Sequence, residues 1–159
     1  MNDEQFEAIK NEFERIQENC LYSAQAYFEA AKRAEFWGRL MVFIPACVSA
    51  LSGFMSAMNK APTWGAVSAV AGTVAATASF LGATKKAADF QSSARSYTAL
   101  RHNVHMEIAL LSTARDWIDA QSTLRSLNSS YVQIVSTDVP MPNRAFNVAR
   151  KRIQQGMAS

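Results

Sequence analysis

Between Leu40 and Thr84 the chain carries a single charged side chain, Lys60, and no other feature restricts its folding as strongly. The segment before it, residues 1–39, holds five basic and eight acidic groups, and the segment after it, residues 85–159, holds ten basic and five acidic. Twenty uncharged residues (40–59) and then twenty-four (61–84) flank Lys60. As a helix rising about 1.5 Å per residue, twenty residues span about 30 Å, the thickness of a bilayer's hydrocarbon core. Two such runs around the turn N-K-A-P-T (59–63) predict a transmembrane hairpin, because Pro62 cannot continue a first helix but suits the start of a second. The competing reading is a buried helical hairpin in a soluble bundle. It draws on the second run, which is mostly Ala, Gly, Ser and Thr. The first run favours the membrane, with Leu40, Met41, Val42, Phe43, Ile44, Val48, Leu51, Phe54 and Met55 outweighing Pro45 and three serines. A secretory signal is not expected, since the apolar run starts near residue 40, behind a charged segment.

Basic residues flank both runs, with Lys32, Arg33 and Arg39 before the first and Lys85, Lys86 and Arg95 after the second, so both termini are expected in the cytoplasm. Cys20 and Cys47 suggest a reducing compartment and no disulfide. The net charge of +3 is too mild to argue for nucleic acid.

The charged flanks read as helices. Phe6, Ile9, Phe13, Ile16, Cys20, Ser23, Tyr27, Ala30, Ala34 and Trp37 alternate in steps of three and four across residues 3–39, a heptad seam. Phe90, Ala94, Tyr97, Leu100, Val104, Ile108, Leu111 and Ile118 repeat the pattern after the hairpin. The natural partner of each seam is the other, with Phe6, Phe13 and Tyr27 set antiparallel against Val104, Ile108 and Leu111. Glu29 with Arg33 and Glu35 with Arg39 form i,i+4 pairs on a solvated face. A shorter apolar segment follows (Leu124, Leu127, Tyr131, Ile134, Val135), and D-V-P-M-P (138–142) forces a break. A last helix, about 143–155, sets Phe146, Ala149 and Ile153 against Arg144, Arg150, Lys151 and Arg152. That basic face is a solvated surface, a contact for anionic lipid, or a contact for an acidic partner. Nucleic acid is expected only indirectly, through a partner. Around Glu12, Arg15 and Glu18 the first helix offers another exposed surface for a partner.

The fold class is therefore all-α: a two-transmembrane helical hairpin flanked by long cytoplasmic helices packed as a coiled-coil-like bundle, plus a short C-terminal helix. One domain covers 1–159, divided into a first helix (1–39), a first span (40–58), a turn (59–63), a second span (64–84) and a helical C-terminal part (85–159).

Within the spans Ser49, Ser52 and Ser56 lie along one face of the first, with Gly53 beside them, while Gly65, Ser68, Gly72 and Ser79 belong to a broad small-residue face of the second. Small faces let helices approach closely in lipid. They hold the hairpin together or dimerise it, or else several hairpins in a ring turn the serine stripe inward as a weakly polar lumen. Neither span has an ionisable residue, which argues against a proton relay or voltage sensor. His102 and His105 with Glu107 are a poor metal set, and there is no nucleophile elbow, phosphate loop or C-x-x-C motif, so no enzyme, metal or cofactor is expected.

With Y-F-E-A-A-K-R-A-E-F-W-G-R-L at 27–40, the hairpin, F-Q-S-S-A-R-S-Y-T-A-L-R at 90–101 and a P-x-P break near the C-terminus, the layout resembles the SLATT family (SMODS and SLOG-associating two-transmembrane effector domains) of bacterial conflict and antiphage systems. The resemblance covers essentially the whole chain and is one of arrangement, with no catalytic signature. It implies an inner-membrane effector that oligomerises into pores once infection is sensed, depolarising or permeabilising the cell in abortive infection. It also implies a sensor from the same operon: a nucleotide second-messenger synthase, a SLOG-domain protein or a reverse transcriptase. Two readings stay open, a pore-forming effector with either an inserted or a soluble partner-bound resting state, and a passive membrane anchor or scaffold for a partner enzyme.

Overall fold

A computed structural model describes residues 3–58, 61, 63–80, 85–111 and 116–156. The fold is all-α: the described residues form five helices and no strand, α1 (Asp3–Ala57), α2 (Thr63–Phe80), α3 (Lys85–Leu111), α4 (Trp117–Thr137) and α5 (Asn143–Gln154). Asp3 and Glu4 sit in the first turn of α1, where they complement the helix dipole. The expected first helix and first span are one element, since α1 runs through residue 39 and past Pro45 without ending. Pro45 lacks only its own N–H, so α1 forgoes one backbone bond there. Asn59, Lys60 and Pro62 of the expected turn, and residues 81–84 of the expected second span, lie outside the described residues.

The chain divides into two compact units. One combines the chain up to Ala30 with the chain from Phe90 onward, and the other is Ala31–Asp89. In the first unit the two predicted seams supply the core: Ile9, Phe13, Ile16, Cys20, Tyr27 and Ala30 from α1, and Phe90, Ala94, Tyr97, Leu100, Val104 and Leu111 from α3, are all buried. The helices run antiparallel, with Tyr27 near Phe90 and Tyr97 and Gln17 at His105. That register corrects one expectation. Tyr27 packs at the start of α3 and not against Val104, Ile108 or Leu111, because antiparallel pairing sets the late residues of α1 against the early residues of α3.

A second correction concerns Ile118, which continues the seam of α3 in sequence but belongs to α4, where it is exposed. Asp116 takes extended backbone geometry and its carboxylate accepts from the Ile118 N–H, capping a new helix there. Helix α4 stops at Thr137, before the D-V-P-M-P segment, and α5 opens just after Pro142. Its end is set by Gly156 at φ +70°, a left-handed conformation that glycine adopts without a Cβ penalty, with Gly156 N–H donating to Ile153 C=O and Gln155 N–H to Lys151 C=O. Buried Ala145 and Ala149 give α5 a flat docking face.

In the second unit, the later part of α1 pairs with α2 through small side chains. Its large apolar residues point outward: Met41, Phe43, Ile44, Leu51 and Phe54 on α1, and Val67, Val70 and Val74 on α2, are exposed.

Candidate functional site

The hairpin turns large apolar side chains outward and packs Ser49, Ser52, Ser56 and Ser68 between its helices, while Thr73, Thr77 and Ser79 stay exposed. At its centre the Ser49 hydroxyl donates to the Ser68 carbonyl at 3.0 Å, the Ser68 hydroxyl donates to the Ser49 carbonyl at 3.0 Å, and the two oxygens lie 3.4 Å apart. Such reciprocal bonds require backbones close enough for a hydroxyl to reach across, which small residues permit. Three glycines supply the approach. A Cβ added at Gly72 would stand 3.2 Å from Ser49 Oγ, one at Gly53 3.4 Å from Ser68 Oγ, and one at Gly65 3.4 Å from Ser56 Oγ. Ser52 is 2% exposed, the most deeply buried polar residue of this unit among those described. Among the described residues no buried side-chain nitrogen or oxygen lacks a hydrogen-bond partner.

Of the eight residues singled out in the two spans, Ser49, Gly53, Ser56, Gly65, Ser68 and Gly72 therefore meet in one seam, and Ser52 is buried beside them. Ser79 is exposed and takes no part in it. Thr73 and Thr77 point back to their own helix, donating to the carbonyls of Ala69 and Thr73 at 2.8 Å, which satisfies their hydroxyls without a partner helix.

Among the described residues one helix, α1, is long and apolar enough to cross a membrane, and 6% of its apolar stretch is buried. Helix α2 has eighteen residues, rich in Ala, Gly, Ser and Thr. Of the basic flank residues, Arg39 pairs with Glu35, as the i,i+4 spacing predicts, while Lys85 and Lys86 are exposed in the first turn of α3.

The basic cluster of α5 is divided between two roles. Arg152 reaches Glu29 of α1 through Nη1 and Oε1, whereas Arg144, Arg150 and Lys151 are exposed. The Arg152 partner was not legible from spacing, because Glu29 and Arg152 stand 123 positions apart.

The sequence also left unassigned a tyrosine cluster that holds the D-V-P-M-P segment. Tyr27 donates to the Val139 carbonyl at 3.0 Å, and Tyr97 donates to the Asp138 carboxylate at 2.5 Å. Tyr27 and Tyr97 stack at 5.7 Å, and Tyr131 lies edge-on to Tyr97 at 6.1 Å. Burial, with the Asp138 carboxylate adding to it, pushes the Tyr27 hydroxyl up to about 12. Tyr97 is raised further for the same reasons, and Tyr131 is raised chiefly by burial. Burial also lifts the Cys20 thiol to about 11, against the opposing charge of Arg101, which makes it a core side chain with little thiolate character. The available signal was the three tyrosines at seam spacing together with one acid beside a Pro-rich break.

His105 Nδ1 lies 3.2 Å from Gln17 Nε2, and among the described residues no three His, Cys, Asp or Glu side chains are grouped to hold a metal ion. Compared with protein-family models, curated proteins and solved structures, the chain matches none.

Proposed function

We propose that the Ala31–Asp89 unit inserts into the bacterial inner membrane as a two-span hairpin with both termini cytoplasmic, and that the chain is the non-enzymatic membrane effector of an antiphage system. One observation supports the insertion: the hairpin turns Phe43, Leu51, Phe54, Val70 and Val74 outward and keeps the Ser49 and Ser68 hydroxyls inside a mated seam. In water those outward side chains would form a large apolar surface, which soluble monomers rarely tolerate, whereas lipid solvates them. The coiled-coil-like cytoplasmic helices rest on the heptad seams and the basic flanks, and the sensor encoded in the same operon and the outcome of abortive infection come from the SLATT-like layout.

The seam bears on how such an effector opens. In the closed hairpin the Ser49, Ser52 and Ser56 stripe is covered by α2, so a lumen lined by that stripe requires the hairpin to part and re-pair between copies. The resting state is then the mated hairpin, and the conducting state is an oligomer in which Ser49 and Ser68 have exchanged partners. A second reading, the passive anchor, is favoured by the same mated seam, because a hairpin whose polar groups are already satisfied needs no further partner in lipid.

A disulfide lock separates the two. The chain with Ser49→Cys and Ser68→Cys, in a background of Cys20→Ala and Cys47→Ala, is reconstituted into vesicles loaded with a potential-sensitive dye. Ion flux under reducing conditions that disappears on oxidation supports the pore and its opening step. No flux in either state, with the protein confirmed in the vesicles and the operon's sensor added in its activated form, leaves the anchor. Ser52→Leu does not discriminate between the readings, since its 2% exposure means that a leucine there breaks the seam in both.

A further inference from the structure

The two histidines of the chain stand on one edge of α3 and open onto the same cleft. That cleft, of about 270 Å³, lies between α1 and α3 in the unit formed by both ends of the chain, and Gln17, Thr98, Arg101, His102 and His105 line it. The spacing explains the grouping: residues 98, 101, 102 and 105 fall at i, i+3, i+4 and i+7, one helix face beside the buried seam of Ala94, Tyr97, Leu100 and Val104. The lining is one-sided in charge. None of the five residues is an acid, and residues 90–106 contain no Asp or Glu, while Arg95, Arg101, His102 and His105 fall among them. On α1 the acid one turn from Gln17, Glu14, lies 4.0 Å from Lys10, and Glu18 is exposed on the side opposite the seam. Arg101 is partly buried and, among the described residues, enters no ion pair.

Two contacts arrange the donors. Gln17 Nε2 lies 3.2 Å from His105 Nδ1, and an amide N–H donating there leaves the neutral ring's own proton on Nε2, so His105 is a donor from its far side. Thr98 donates to the Ala94 carbonyl of its own helix at 2.8 Å, which leaves its hydroxyl proton engaged. The donors left over are the guanidinium fork of Arg101 and a ring N–H of each histidine. A carboxylate has two oxygens and would be satisfied by the fork alone, whereas a phosphate group has oxygens enough for the fork and both rings. A metal ion fits worse, since a guanidinium would repel it and no three metal-ligating side chains are grouped among the described residues.

We propose that this cleft binds a free phosphate group, either inorganic phosphate or the monoester of a small molecule, with Arg101 holding two of its oxygens and His102 and His105 donating to the others. Gln17 is a positioning residue, acting through the orientation of the His105 ring. The site is independent of the membrane reading, because every residue that lines it belongs to the unit that does not include the hairpin.

Because the chain has only these two histidines, their ring signals in a magnetic resonance spectrum report on this cleft alone. The full chain, purified without a histidine tag, carrying ring-labelled histidine and held in uncharged detergent micelles, is titrated at about pH 7 with inorganic phosphate, with sodium chloride keeping the ionic strength constant. Both ring signals should move and saturate, with half-saturation at about 1 mM, as suits one small charge-assisted anion site. Arg101→Gln should weaken binding about tenfold and Gln17→Ala about threefold, each with wild-type helicity by circular dichroism. Signals that stay still, that drift without saturating, or that respond in Arg101→Gln as in wild type would overturn the site. So would saturation by dihexanoylphosphatidylglycerol without any response to phosphate, since the cleft would then belong to a lipid headgroup. Saturation by phosphate in a chain that fails to enter vesicles would uphold the cleft while removing the membrane hairpin.

Discussion

Gly72 sets the tightest approach in the hairpin, because a side chain there would begin 3.2 Å from Ser49 Oγ, at the residue that makes both inter-helix bonds. Gly72→Leu should separate the helices and cost about 2 kcal/mol, read as a fall in the unfolding midpoint of the micelle-bound protein. Gly53→Ala meets Ser68 Oγ at an ordinary 3.4 Å and should change that midpoint by less than about 0.5 kcal/mol. The tyrosines make a prediction in pH. Tyr27 titrates near 10 when unfolded and near 12 when folded, so the folded state holds its proton longer. Stability owed to the protonated cluster is complete below pH 10 and declines as the pH rises from 10 towards 12, where the unfolded chain ionises first. Thermal unfolding followed by circular dichroism across that range checks the slope, and a midpoint that does not fall would contradict it.

Among the elements, α1 and α3 were the most legible, because a seam in steps of three and four announces its own buried face. Phe13, Cys20, Phe90 and Val104, the largest fully buried side chains, all stand on the seams read from spacing. The junction after α3 was not legible, since Ile118 keeps the spacing and only the capping geometry of Asp116 shows that a new helix starts. In the hairpin the serine and glycine faces could be read, but not that they mate with each other, because a small residue fits a helix seam and a lumen equally well. Ser79 illustrates the limit: it shares the spacing of the α2 face yet stays exposed. Helix α5 was legible as amphipathic, whereas the distant partner of Arg152 was not. A double-mutant cycle on Glu29→Gln and Arg152→Ala should yield about 1 kcal/mol of coupling, fitting a pair with side chains 13% and 42% exposed. Arg150→Ala, exposed, should leave stability within about 0.5 kcal/mol of wild type.

At the scale of the molecule the two units divide the physics. The unit built from both ends of the chain has an apolar core, and the Ala31–Asp89 unit, between its charged ends at residues 32–39 and 85–86, has an apolar surface over a small, partly polar seam. That inversion supports the proposal that the second unit is a membrane hairpin, which assigns opposite sides to its turn and to the chain ends. Ala61 lies in the connection between α1 and α2, and Ser129 lies on the exposed side of α4. The direct measurement is labelling of single cysteines by a membrane-impermeant maleimide in cells with permeable outer membranes, using Ala61→Cys or Ser129→Cys with Cys20 and Cys47 replaced by alanine. A two-span hairpin with cytoplasmic termini requires that Ala61→Cys reacts in intact spheroplasts and that Ser129→Cys reacts only after lysis. Protection of Ala61→Cys together with recovery of the protein in the soluble fraction would contradict the hairpin, and the membrane function with it.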